Sequence, residues 1–194
     1  MLQVILASGS PRRQELLRQI NIEPIVHPSS FEESSGEARD AEAVVRANAQ
    51  GKCLDVVAKY GDSLPVIAAD TVVVLDKDIL GKPLERTKAA AMLRMLSGRS
   101  HQVMTGVAIS YQGKLITEVV KTEVVFRGLS DTEIAAYVAT DEPLDKAGAY
   151  GIQGLGAILV ERIHGCYNNV VGLPLTCVWQ LLSSLGVLNE ATEK

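Results

Sequence analysis

The sequence predicts an α/β protein with a mixed β-sheet flanked by helices. Three observations lead there. Short apolar runs alternate with amphipathic helical stretches from residue 3 onward, a long hairpin pattern fills residues 101–127, and the glycine-rich segments 145–157 and 168–174 fit neither a strand nor a helix interior. The last two read as loops that carry a site.

Taken in order, Gln3–Ala7 is a short apolar strand, Pro11–Ile20 places Leu16, Leu17 and Ile20 at helical spacing, and Ile22–His27 is strand-like again, which makes a βαβ beginning. Residues 28–39 are polar and read as a mobile loop. A long helix follows over Asp40–Tyr60, with Asp40 as N-cap and Gly51 as a weak point inside it. An apolar strand begins near Pro65 and turns at Asp76–Asp78. Helix Arg86–Leu96 stops before Gly98, a residue suited to the left-handed position after a helix. Gln112–Gly113 is the hairpin turn, Ser130 and Glu133 form a capping box for a helix over Asp131–Thr140, and a final helix runs from Pro174 to Leu185.

Composition narrows the function classes. The chain has 194 residues, 47% hydrophobic and 22% charged, enough for one well-packed domain with a possible division into two lobes. A net charge of −4 argues against a general nucleic-acid binder, so any basic cluster must be local. Cys53, Cys166 and Cys177 form no CxxC pair and predict reduced thiols in a cytoplasmic protein. The first residues lack the charged region of a signal peptide, and no stretch approaches the roughly 20 apolar residues of a membrane span.

Two places stand out chemically. In LASGSPRRQELL, Ser10 is a natural N-cap and Pro11 a natural first helical residue, yet Arg12 and Arg13 put cations at the helix end that is already partially positive. Backbone N–H groups, the hydroxyls of Ser8 and Ser10 and two guanidiniums there suit a phosphate; the alternative is surface arginines paired with Glu15 or other carboxylates. In VIAADTVVVL, Asp70 lies among apolar residues, where a carboxylate must be paired, protonated, metal-bound or displaced onto an exposed bulge. In an unbroken strand Thr71 faces the opposite way. Glu32, Glu33, Lys52 and Lys82 are each ordinary surface charges when taken singly. Together with Asp70 and the arginines they match a nucleoside triphosphate and Mg²⁺. No P-loop, dinucleotide fingerprint or zinc spacing is present.

The segments SGSPRR (8–13), ADTVV (69–73), GKP (81–83), DEPLDKAGAYGIQGLGA (141–157) and NVVGLPL (169–175) resemble, in order, the motifs of the Maf family of nucleoside triphosphate pyrophosphatases. The resemblance covers nearly the whole chain. It implies a fold related to the inosine triphosphate pyrophosphatases, a central cleft, a cytoplasmic homodimer, and a nucleoside triphosphate rather than a nucleic acid or a membrane as partner. KAGAYGIQG is similar to the branch acting on dTTP and UTP. Carried over by motif, Asp70 is the catalytic acidic residue; Arg12, Thr71 and Gln153 match positions tied to substrate choice; Ser8, Arg13, Glu33, Lys52, Lys82 and Lys146 match the polar cleft. One departure is QGKC (50–53), where many relatives have Glu before the lysine.

The reaction implied is hydrolysis to the monophosphate and pyrophosphate, with Asp70 and Glu33 holding Mg²⁺ or Mn²⁺ and Asp70 orienting or deprotonating the water. A non-enzymatic nucleotide-binding regulator linked to septum formation is the rival expectation. A carboxylate in an apolar strand favours chemistry, because a binder of anions gains nothing from it without a metal.

Overall fold

The computed structural model describes residues 2–34 and 40–188; residues 35–39, part of the loop expected over 28–39, lie outside the described residues. The chain opens on the expected βαβ unit: β1 (Leu2–Leu6), α1 (Pro11–Gln19) and β2 (Ile22–Val26), with β1 and β2 parallel. Pro24 removes a backbone donor from β2, and β2 accordingly lies at the sheet edge. Helix α2 (Ala41–Tyr60) starts where Asp40 accepts the N–H of Glu42 at 3.0 Å.

Next come β3 (Val66–Leu75), β4 (Asp78–Leu80), α3 (Arg86–Leu96), β5 (Ser100–Tyr111), β6 (Lys114–Phe126) and α4 (Asp131–Val138). The β5–β6 hairpin turns on Gln112 and Gly113, both with positive φ (50° and 77°). Ser130 and Glu133 form the expected capping box. The glycine-rich stretch folds as two 3-10 turns, Ala147–Ala149 and Gly154–Leu159, followed by β7 (Val160–His164), α5 (Tyr167–Val171) and α6 (Leu175–Ser184). Thus β4 and β7 are strands where the sequence pattern suggested none, and half of the expected loop 168–174 is the end of a short helix.

The sheet order is β2-β1-β3-β5-β6-β7, with β4 also paired to β3. β3 runs antiparallel to β5 along nearly its whole length. Its other side is shared: β1 pairs with Val66 and Ile67, β4 with Val73–Leu75, and neither strand reaches residues 68–72. The sheet is therefore parted beside Asp70 and Thr71.

Helix α2 covers one face through small residues, Ala49, Ala68 and Ala108 among them. Gly106 permits this close approach, since a Cβ there would fall on the carbonyl of Val45. The opposite face holds two apolar clusters. One joins α1 and α6 to β1 through Leu6, Leu17, Leu173 and Leu182; the other joins α3 and α4 to β4 and β6 through Leu80, Leu93, Phe126 and Ile134.

The second cluster encloses His101, whose Nε2 lies 2.8 Å from the Tyr150 hydroxyl and whose ring meets Phe126 edge-on. Burial pushes its pKa from 6.5 down to about 4. The folded state thus holds a neutral imidazole, and its stabilising share is complete above pH 6.5. Between pH 6.5 and 4 the unfolded chain takes up the proton first, and about 3 kcal/mol of stability is expected to be lost across that window. Urea unfolding at pH 7 and pH 4.5 measures this; in His101→Gln the pH dependence should flatten, and an unchanged slope would exclude His101 as its source.

Candidate active site

The cleft forms where the sheet is parted. A cavity of about 480 Å³ is lined by Ser8, Ser10, Arg12, Arg13, Glu33, Lys52, Asp70, Thr71, Lys82, Lys146 and Gln153, so the side chains singled out from the sequence meet in one place except Glu32, which does not line it. Asp70 and Thr71 point to opposite faces of an unbroken β3 and still share this cavity, because no strand closes the sheet between β1 and β4. The exposed-bulge alternative for Asp70 does not hold.

Asp70 is 6% exposed and paired through both oxygens. Lys52 Nζ donates to Oδ1 at 2.7 Å and Asn48 Nδ2 to Oδ2 at 3.0 Å. The same ammonium meets Glu33 at 2.6 Å, so two carboxylates converge on one cationic centre. Asn48 was not singled out from the sequence. Its signal was the four-residue spacing from Lys52, which places both on one face of α2.

That face of α2 also fixes the loop bearing Glu33. Asn48 Oδ1 accepts from the Ser34 N–H at 3.0 Å, and Asp55 accepts from the Ser29 hydroxyl at 2.7 Å and the Ser30 N–H at 2.8 Å. Lys59 and these serines hold the Asp55 carboxyl well below the usual carboxylate range. Gly51 has a specific reason: any Cβ there would overlap the Phe31 ring. The departure from the family pattern at QGKC therefore leaves Lys52 in place and seats Phe31 on the helix.

The two arginines have different situations. Arg13 is held by the protein: Nε donates to Gly172 O at 2.9 Å, Nη1 to Ala69 O at 2.9 Å and Ser8 Oγ at 3.1 Å, and Nη2 to Thr71 Oγ1 at 3.3 Å. It fills the missing strand's place beside Ala69. Burial lowers its pKa and the charge of Asp70 opposes that shift. Among the described residues Arg12 has only a 4.0 Å ion pair, to Asp145, and lines the cavity, and Ser10 caps α1 without using its side chain.

On the far wall Lys146 donates to the Glu142 carbonyl at 2.5 Å and to Asp145 at 2.8 Å. Glu142 secures the glycine-rich loop, accepting from the Tyr137 hydroxyl at 2.9 Å and from the N–H groups of Leu155 and Gly156 at 3.1 Å. Gln153 and Lys82 are exposed at the cavity, and among the described residues neither side chain has a hydrogen-bond or ion-pair partner. Five cations against three carboxylates, Glu33, Asp70 and Asp145, leave the lining positive in a negatively charged chain. That balance suits a polyanion.

Both carboxylates offer hard oxygen donors. Among the described residues no group of three or more His, Cys, Asp or Glu is gathered for a metal, so a cation at Asp70 and Glu33 would complete its shell from substrate oxygens and water, a donor set that fits Mg²⁺ or Mn²⁺.

A family model described as Maf-like protein matches residues 3–185. The chain is 48% identical over 196 aligned residues to a dTTP/UTP pyrophosphatase of Escherichia coli (strain K12), covering 100% of this chain and 98% of the relative. The figures for a dTTP/UTP pyrophosphatase of Shigella sonnei are the same. Among solved structures, a nucleoside-triphosphatase described as a dITP/XTP pyrophosphatase, from Mycobacterium abscessus, superposes with a TM-score of 0.49 at 14% identity, over 100% of this chain and 99% of that one.

Proposed function

The chain belongs to the Maf-like protein family, and from that premise we propose that it hydrolyses nucleoside triphosphates, dTTP and UTP foremost, to the monophosphate and pyrophosphate. The observation that carries this reading is the juxtaposition of Asp70, anchored by Lys52 and Asn48, with a cleft whose remaining charge is mostly cationic. Removing non-standard or surplus triphosphates from the nucleotide pool is the cellular purpose such an activity serves.

The chemistry is NTP + H₂O → NMP + pyrophosphate with release of a proton. Water adds to the α-phosphorus and the bond to the bridging oxygen of the pyrophosphate breaks. Asp70 accepts or orients the water proton; its two oxygens each have one protein donor and retain lone pairs for this purpose. Negative charge grows on the departing pyrophosphate, and Arg12, Lys82 and Lys146 stand ready to offset it. Asp70 and Glu33 would hold the divalent cation, which when bound supplies further charge neutralisation at phosphate oxygens. Arg13 fixes the walls to one another, while Arg12 is the arginine free to meet the triphosphate.

A cytoplasmic homodimer is part of the same proposal, supported by the family resemblance and by three free cysteines. No helix among the described residues is long and apolar enough to cross a membrane.

The test is pyrophosphate release from a panel of UTP, dTTP, CTP, dCTP, ATP and GTP, with Mg²⁺ and after chelation. UTP and dTTP are expected to lead and chelation to abolish turnover. Preference for a purine would overturn the substrate class, and turnover unaffected by chelation the metal. Arg12→Ala is expected to weaken triphosphate binding by roughly 1.5–3 kcal/mol, an effect that shrinks at high salt. Thermal stability should be unaffected, because the native ion pair at 4.0 Å to an exposed Asp145 contributes little. Titration of a non-hydrolysable UTP analogue at low and high salt measures it; equal affinity in both proteins would return Arg12 to the surface.

A further inference from the structure

Thr71 stands on the cleft floor and has one hydroxyl proton to place. Its Oγ1 lies 2.9 Å from Thr105 Oγ1, and Thr105 Oγ1 lies 3.2 Å from the main-chain carbonyl of Asn169. Each of these oxygen–oxygen contacts needs one proton, and Thr105 is 0% exposed. The carbonyl has none to give. Both contacts are hydrogen bonds only when the Thr105 proton goes to the Asn169 carbonyl, which also accepts the Gly172 N–H at 3.1 Å, and Thr71 donates inward to Thr105. Arg13 Nη2 donates to Thr71 Oγ1 at 3.3 Å. What remains for a ligand is a lone pair. Gly172, with φ 122°, lies beside it, and a Cβ built there would come within 3.7 Å of Thr71 Oγ1, so the missing side chain keeps space open next to the hydroxyl.

An acceptor-only hydroxyl is no partner for phosphate oxygens; in a nucleoside triphosphate it needs an N–H or O–H. Resting on the pyrimidine triphosphate reading above, we infer that Thr105 is the positioning residue for base selectivity. By taking the Thr71 proton it fixes Thr71 as acceptor for the N3–H of uracil or thymine. Cytosine carries a lone pair at N3 and meets another lone pair. The second N–H of Arg13 Nη2 has no partner among the described residues and lies next to this acceptor, so the two complement the adjoining C=O and N3–H of an imide edge. Cytosine offers that order only one ring position further along, where its sugar and triphosphate would have to shift with it. Gln153 cannot make this distinction alone, because an amide with no fixed partner turns either way.

Thr105→Val keeps the volume and removes the inward acceptor, so the Thr71 proton turns toward the cleft and suits cytosine N3. The ratio of kcat/KM for UTP to that for CTP is expected to fall about tenfold or more. Thr105→Ser should keep the wild-type ratio. A purely structural role would lower both substrates in parallel, and an unchanged ratio in Thr105→Val would overturn the inference. Should circular dichroism show Thr105→Val unfolded, Thr71→Val decides: UTP turnover must fall more than CTP turnover, and equal losses overturn it. If the wild-type protein hydrolyses neither UTP nor CTP, the enzymatic reading falls and this inference with it; a selective wild type with an unaltered variant ratio defeats the inference alone.

Discussion

Asp70→Asn is expected to lower turnover by at least about 10²-fold while the protein remains folded. The amide keeps the volume of the carboxylate and loses its charge and basicity. Its oxygen can still accept from Lys52, but its NH₂ then faces Asn48 Nδ2, a donor against a donor, and Asn48 cannot turn without giving up the Ser34 N–H. A stability loss of about 1 kcal/mol is expected from that mismatch, far less than unfolding requires. Steady-state rates on UTP with circular dichroism in parallel measure both effects. A near-normal rate would remove Asp70 from the mechanism.

Lys52→Met is expected to cost about 3 kcal/mol or more in folding stability in addition to catalysis. Lys52 and Asp70 have side chains only 10% and 8% exposed, so removing the ammonium strands a carboxylate away from water with Asn48 as its remaining partner. Glu33, 52% exposed, can turn to solvent and loses less. Turnover should fall by at least about 10²-fold, since Asp70 loses the group that places it. Urea unfolding of wild type and variant at pH 7 reads the stability. Coincident curves would mean that Asp70 does not depend on Lys52.

The sequence made some elements legible because their ends carry local chemistry. Helix α3 falls on Arg86–Leu96 as expected, since Gly98 takes the left-handed conformation with φ 67°. The β5–β6 hairpin and the cap at Asp40 are of the same kind. Strand β7 was illegible: Val-Glu-Arg-Ile-His is largely exposed and exists because β6 offers it a ladder from Glu123 to Phe126. Helix α5 is five residues long and begins on Tyr-Asn-Asn, residues that local propensity assigns to a loop; its buried Asn169 pairs with Val103 O and Thr122 Oγ1, which lie 66 and 47 residues away. For the site, residue types and motif order were enough to gather these cavity-lining side chains, but not to say which were already spent. Arg12 and Arg13 are adjacent and chemically identical. Only the course of β3 and α5 shows that the second donates to Gly172 and Ala69, while among the described residues the first has a 4.0 Å ion pair to Asp145 and no hydrogen bond.

A strand with open backbone groups invites another chain to add itself, and a sheet that parts in its middle has such a stretch inside the molecule as well as at its rim. Residues 68–72 of β3 are that stretch. Arg13 meets the hazard by placing a guanidinium on the Ala69 carbonyl, with the start of α1 behind it, so that an incoming strand finds a charge where it would need a peptide N–H. The same side chain that shapes the cleft thus occupies the carbonyl an added strand would use.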